Sequence, residues 1–213
     1  MRVGVIDYGV GNLGSVQRAI EELRATPVLV NRPTDLHLND CLILPGVGSF
    51  GDCTKILNSG GWIDAIQTEV LTYNRPLLGI CLGMQLLADS SSEGAGSLDN
   101  RPRGLGLIPG TVEHIRTIGT TLRVPHIGWN SISFCGERDS LFSEIPEGTD
   151  FYFVHSYGFI PQSAADVIAS VNYGVDITAA VRRGHVWGTQ FHPEKSSKAG
   201  FKLLQNFLER PTC

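Results

Sequence analysis

The stretch Leu77-Leu78-Gly79-Ile80-Cys81-Leu82-Gly83-Met84-Gln85-Leu86-Leu87-Ala88 decides the fold. Leu77–Ile80 is a short apolar run of the kind that forms a strand buried on both faces, and Leu82–Ala88 has the composition of a helix. Between them, Gly79-Ile80-Cys81-Leu82-Gly83 places a nucleophile at a strand-to-helix junction, the thiol version of a nucleophile elbow. Such a turn forces residue 81 into a strained conformation, and the flanking glycines remove Cβ atoms that would clash. The thiol then stands at a helix N-terminus, where partial positive charge favours thiolate. An ordinary strand–turn–helix with a buried cysteine is the competing reading of these five residues.

Outward from the elbow, the same alternation fills the first half of the chain. Val3–Ile6, Val28–Val30 and Leu42–Leu44 read as strands, the last cut off by Pro45-Gly46. Leu13, Val16, Ile20 and Leu23 fall on one helical face, and Ile63–Val70 reads as a helix. Strand–helix alternation predicts an α/β fold: a mostly parallel central sheet flanked by helices. After Ser90 the texture changes. Ser90–Arg103 is polar with Gly and Pro and reads as a surface loop. Leu105–Ile108, Val112–Ile115, Ser131–Phe134, Phe151–Val154, Val167–Val171 and Ile177–Val181 read as antiparallel or mixed strands added to the sheet. Val186–Gln190 is a last strand, and Lys198–Glu209 a helix with Phe201, Leu204 and Leu208 at helical spacing. With no repeat or linker, residues 1–213 are expected to form one domain.

Composition narrows the class. Hydrophobic residues make up 42% of the chain, and 17 Lys plus Arg stand against 21 Asp plus Glu. That balance gives no sign of a nucleic-acid partner. No segment approaches the roughly 20 apolar residues of a membrane span, and no secretory leader pattern precedes Val3–Ile6. A cytoplasmic protein is expected. Cysteines 41, 53, 81, 135 and 213 are odd in number and widely spaced, so neither a disulfide framework nor a structural metal site is expected.

Two segments match G-x-G-x-x-G, at Gly9–Gly14 and Gly46–Gly51. The first follows a strand, but the acidic residue expected after the next strand is replaced by Asn31-Arg32-Pro33, and no nucleotide cofactor is expected. Both loops read better as places where backbone N–H groups approach a ligand closely.

Thr189-Gln190-Phe191-His192-Pro193-Glu194 supplies what the elbow lacks. In extended chain, residues two apart point to the same side. Glu194 can therefore hold His192 Nδ1–H while Nε2 faces a third group, with Pro193 stiffening the spacing. Strand ends meet at the carboxyl edge of an open α/β sheet, where such folds place their sites. Cys81, His192 and Glu194 thus read as nucleophile, base and orienter of an acyl transfer. The backbone N–H of Leu82 is the expected first oxyanion donor, and the loop Pro45-Gly46-Val47-Gly48 can supply a second, at Gly48.

These residues resemble the class I (triad) glutamine amidotransferases, whose marks are the cysteine elbow and the His-x-Glu. The likeness covers nearly the whole chain. Ile6–Leu13, Pro45–Gly51, Gly79–Leu87, Pro125–Asn130, Tyr152–Tyr157 and Gln190–Ser196 are similar to the glutaminase subunits of imidazole glycerol phosphate synthases of histidine biosynthesis. The resemblance implies a flavodoxin-like glutaminase fold that hydrolyses L-glutamine without a cofactor. It implies glutamine contacts from Gly46, Gln85, Ser156 and Tyr157, and gives His155, a rival base, a role in substrate or interface packing. It also implies a heterodimer with a (β/α)₈ cyclase that receives the ammonia, faced by Asn12, Trp129 and Lys195. Feeding a different acceptor, or an inactive fold kept for binding, are the alternatives.

Overall fold

The computed structural model describes residues 1–97 and 100–209; Cys213 lies outside them. The alternation around the elbow becomes β1 (Arg2–Ile6), α1 (Leu13–Glu22), β2 (Thr26–Val30), β3 (Cys41–Gly46), α2 (Phe50–Ser59), α3 (Trp62–Gln67), β4 (Leu77–Cys81) and α4 (Leu82–Gln85). The second half runs β5 (Ser90–Ser91), β6 (Gly110–His114), α5 (Ile115–Ile118), β7 (His126–Phe134), β8 (Asp150–His155), β9 (Tyr157–Pro161), β10 (Val167–Asn172), β11 (Asp176–Arg183), β12 (Val186–Thr189) and α6 (Ser197–Leu208).

Among the described residues, one sheet has the order β2-β1-β3-β4-β12-β11-β10-β7-β8. Its strands alternate between two apolar layers. Val3, Val5, Ile43, Leu78 and Ile80 face the layer that includes Val16 and Ile20 of α1 and Leu204 and Phe207 of α6. Ile6, Leu42, Leu44 and Leu77 face the other, with Leu57 of α2 and Trp62 and Ile66 of α3. Burial on both faces accounts for the continuous apolar runs of these strands.

The sheet is parallel in its first half and takes antiparallel strands in its second, in line with the antiparallel or mixed strands expected after Ser90. β2, β1, β3, β4 and β12 run parallel, whereas the pairings from β12 to β8 are antiparallel. The cause is turn length. Only Gly184-His185 joins β11 to β12, too short for a parallel crossover, and Gly184 takes φ +60° to make the turn. β5, β6 and β9 form a separate small sheet instead of extending the large one.

Other boundaries also move. Pro45-Gly46 does not end β3, since Pro45 pairs with Ile80 and Gly46 with Cys81. Leu42 N–H bonds towards β4, so by alternation the Pro45 nitrogen faces β1, whose pairing with β3 stops at Ile43. The missing N–H therefore breaks no ladder. The Leu82–Ala88 helix is reduced to one turn, and Leu105–Ile108 is not a strand. The N–H groups of Leu105, Gly106 and Leu107 bond the carbonyls of Leu86, Ala88 and Leu87, which a longer α4 would have used. Ser90–Arg103 is more than a surface loop, because Ser91 is fully buried and pairs with Val112. The helix α2 went unread in the sequence, although Ser49 caps it by accepting from Asp52 N–H.

Candidate active site

The elbow fixes the nucleophile by sterics. Cys81, last residue of β4, sits at φ +56°, ψ −110°, a region that side chains rarely adopt and that persists only where the surroundings hold it. Those surroundings need glycine. A Cβ on Gly79 would stand 2.6 Å from the Gly83 carbonyl oxygen, and one on Gly83 would overlap the Leu44 carbonyl. The turn is thus clamped between β3 and β4, and the thiol is delivered to the floor of a cleft of about 350 Å³.

His192 follows β12 at φ −97°, ψ 97°, and its N–H donates to the Tyr152 carbonyl at 2.9 Å. Glu194 is not on an extended strand as expected. Pro193 opens a single 3₁₀ turn, and that turn brings the carboxylate back to the ring. His192 Nδ1–H donates to Glu194 Oε1 at 2.8 Å, with both side chains almost fully buried. Cys81 and His192 line the same cleft, and the Nδ1 side of the ring is already engaged by Glu194. Burial alone would depress the imidazole pKa. The Cys81 thiol and the Glu194 carboxylate outweigh it and raise the group to about 9.

His155 cannot be the base. Its Nδ1–H donates to the Tyr157 carbonyl at 2.9 Å, and its Nε2 lies 2.9 Å from His126 Nδ1. Burial pushes it down to about 3.

Val47, Gly48, Cys81, Leu82, Gln85, Glu93 and Ser156 are among the groups on the cleft wall. Gly46 is not one of them. It is buried in β3, where a Cβ would stand 2.9 Å from Gly83 N, so it serves the approach of β3 to the elbow. Gly48 takes φ +94° at the cleft rim. Both Nε2 hydrogens of Gln85 are spent, on the Tyr157 carbonyl and on Gln190 Oε1, each at 2.9 Å. Its own carbonyl oxygen is what remains for a ligand donor. Glu93 was missed in the sequence. One carboxylate oxygen accepts from Phe50 N–H at the start of α2 at 2.7 Å, and burial raises its pKa. Its polar setting in Ser90–Arg103 concealed it.

Asn12, Trp129 and Lys195 are exposed and lie outside the cleft. Each adjoins the back of the His192–Glu194 pair. Asn12 shares a small void with both residues, and Lys195 follows Glu194 directly. Trp129 pairs across β7–β8 with Tyr152, whose carbonyl holds His192.

Comparison with known proteins agrees with this geometry. The family model of class-I glutamine amidotransferases matches residues 4–210. The imidazole glycerol phosphate synthase subunit HisH of Rhodospirillum rubrum is 45% identical, over 98% of both chains. That of Halalkalibacterium halodurans is 44% identical, over 96% of this chain and 94% of the other. A solved glutamine amidotransferase superposes with a TM-score of 0.74 at 23% identity, over 97% of each chain. PurLQS of Thermotoga maritima does so with a TM-score of 0.74 at 19%, a likeness of fold. The chain belongs to the class-I glutamine amidotransferases and, within them, to the family of imidazole glycerol phosphate synthase HisH subunits.

Proposed function

We propose that residues 1–213 form one glutaminase domain that hydrolyses L-glutamine and passes the ammonia to a (β/α)₈ cyclase partner, which makes imidazole glycerol phosphate and aminoimidazole carboxamide ribotide in cytoplasmic histidine biosynthesis. The observation that carries the reading is the buried Cys81–His192–Glu194 set on the floor of a cleft that also holds Glu93 and Gln85.

In this reading glutamine enters with its α-ammonium against Glu93, its other polar atoms held by Gln85 and the Ser156-Tyr157 backbone. Cys81 Sγ attacks the side-chain amide carbon, and its proton resides on His192. The oxyanion forms against the N–H groups of Leu82 and Gly48. His192, kept protonated by Glu194, gives its proton to the departing nitrogen, and ammonia leaves as the thioester forms. A water deprotonated by His192 then releases glutamate. Each oxyanion donor is worth about 10²–10³ in rate.

The alternative acceptor is disfavoured by the match to HisH subunits over nearly the whole chain. Asn12, Trp129 and Lys195 make the partner face beside the triad. A glutaminase working alone would waste glutamine, so the loop at Gly48 is the proposed switch: glycine lets a peptide there turn its N–H towards the oxyanion. The test is glutamate release by the chain alone, with the cyclase, and with cyclase plus its nucleotide ligand. Activation of about 10²–10³ is expected across the series, and full activity in the isolated chain would refute the coupling.

A further inference from the structure

A line of side chains, of which His155 and Gln85 reach the cleft wall, runs from the half-buried face of β7 to the nucleophile. Asn130 begins it. Its Oδ1 accepts from Ser131 N–H at 2.9 Å and its Nδ2 donates to the Asn172 carbonyl at 3.0 Å. Those two bonds fix the amide so that its NH₂ side faces His126 Nε2, 3.4 Å away. His126 Nε2 is therefore the acceptor, and the proton of that ring is on Nδ1. Nδ1–H donates to His155 Nε2 at 2.9 Å, so the His155 proton is also on Nδ1, from which it donates to the Tyr157 carbonyl at 2.9 Å. The far end agrees. Gln85 donates to the same carbonyl and to Gln190 Oε1, and Gln190 Nε2 lies 3.8 Å from Cys81 Sγ.

The four ring nitrogens thus all have a partner, as buried polar atoms require, and only one assignment of tautomers satisfies them. Both rings are almost entirely buried. His126 is stacked between Phe153 and Tyr173, with centroid separations of 4.9 and 4.0 Å. Burial holds it neutral, with its pKa down at about 4. A neutral ring locked in one tautomer is a directional spacer: it donates at one nitrogen and accepts at the other, and it cannot slide.

The geometry points to His126 and His155 as positioning residues that set the Tyr157 carbonyl, and through it Gln85, for glutamine. His126 lies outside the cleft, and His155 reaches the cleft wall with both ring nitrogens already engaged within the line. The inference deepens the proposed glutaminase reading and rests on it only for the choice of substrate in the assay.

Two measurements on the whole chain test this. First, ¹⁵N NMR of the imidazole nitrogens at pH 7 should show both His126 and His155 protonated at Nδ1. An Nε2–H tautomer in either ring overturns the relay, and this reading needs no variant. Second, His126→Phe keeps the stacked ring but leaves His155 Nε2 without a donor, whereas His126→Asn keeps an N–H near the place of Nδ1–H. The expected result is a KM for glutamine about tenfold higher in His126→Phe with kcat within about threefold, and His126→Asn within about threefold of wild type in both. Equal losses in the two variants, or none in His126→Phe, would overturn the relay. If the unaltered chain and its cyclase complex turned over no glutamine, the glutaminase reading would fail, and the tautomers alone would decide the relay.

Discussion

Cys81→Ala is expected to lose glutamine hydrolysis by at least about 10³-fold while keeping the fold and the partner. The thiol supplies the only atom in the proposed route that becomes bonded to the substrate carbon, and no other group on the cleft floor can replace it. Alanine retains the Cβ, so the strained turn at φ +56° is not made worse, and the residue removed is small and faces the cleft. The complex carrying the variant should still make product from ammonium salt at alkaline pH, because in the proposed function the cyclase consumes ammonia and not glutamine. Circular dichroism and co-purification check the fold and the pairing, and glutamate release checks the chemistry. Activity within about tenfold of wild type, roughly 1.4 kcal/mol in barrier, would show that Cys81 is not the nucleophile.

His192→Ala is expected to be nearly as damaging, since the proton taken from the thiol and returned to the leaving nitrogen has no other carrier. His155 does not substitute: both of its nitrogens are engaged, and its pKa is pushed down to about 3. Glu194→Gln is expected to be milder, because an amide can still orient the ring but stabilises imidazolium less. The pH profile carries the sign. With the folded pKa of His192 raised to about 9, the proton donor is present at lower pH and is lost as pH rises through about 9. In Glu194→Gln that alkaline limb should move to lower pH. A profile for Glu194→Gln equal to wild type across pH 6–9 would demote Glu194 to a structural residue.

The parts of this site that were legible in the sequence are the ones that sterics settle locally. A short apolar strand, a cysteine between two glycines and a following helix leave one way to turn the chain, and Gly79 and Gly83 meet backbone where any Cβ would clash. The His-x-Glu pair was legible for a partly different reason than expected: Pro193 starts a 3₁₀ turn, and the turn closes the 2.8 Å contact. Glu93 was not legible because its placement depends on Phe50 N–H, 43 positions away in sequence, and its neighbours look like loop. The antiparallel half of the sheet was legible in the short strands after Ser90, and at Arg183-Gly184-His185 the turn is too short for any crossover. The His126–His155 contact spans 29 positions and left no periodic trace, since pairing of β7 with β8 alone brings the rings together.

In the proposed function, nitrogen freed at Cys81 reaches the partner's acceptor without first mixing with the solvent pool. The most direct test gives the complex glutamine labelled with ¹⁵N in its side-chain amide, together with excess unlabelled ammonium at neutral pH, and reads the label in the imidazole product by mass spectrometry. Nearly complete labelling is predicted for the wild type, and none for Cys81→Ala. Product nitrogen diluted to the isotopic composition of the bulk ammonium in the wild type would contradict the account.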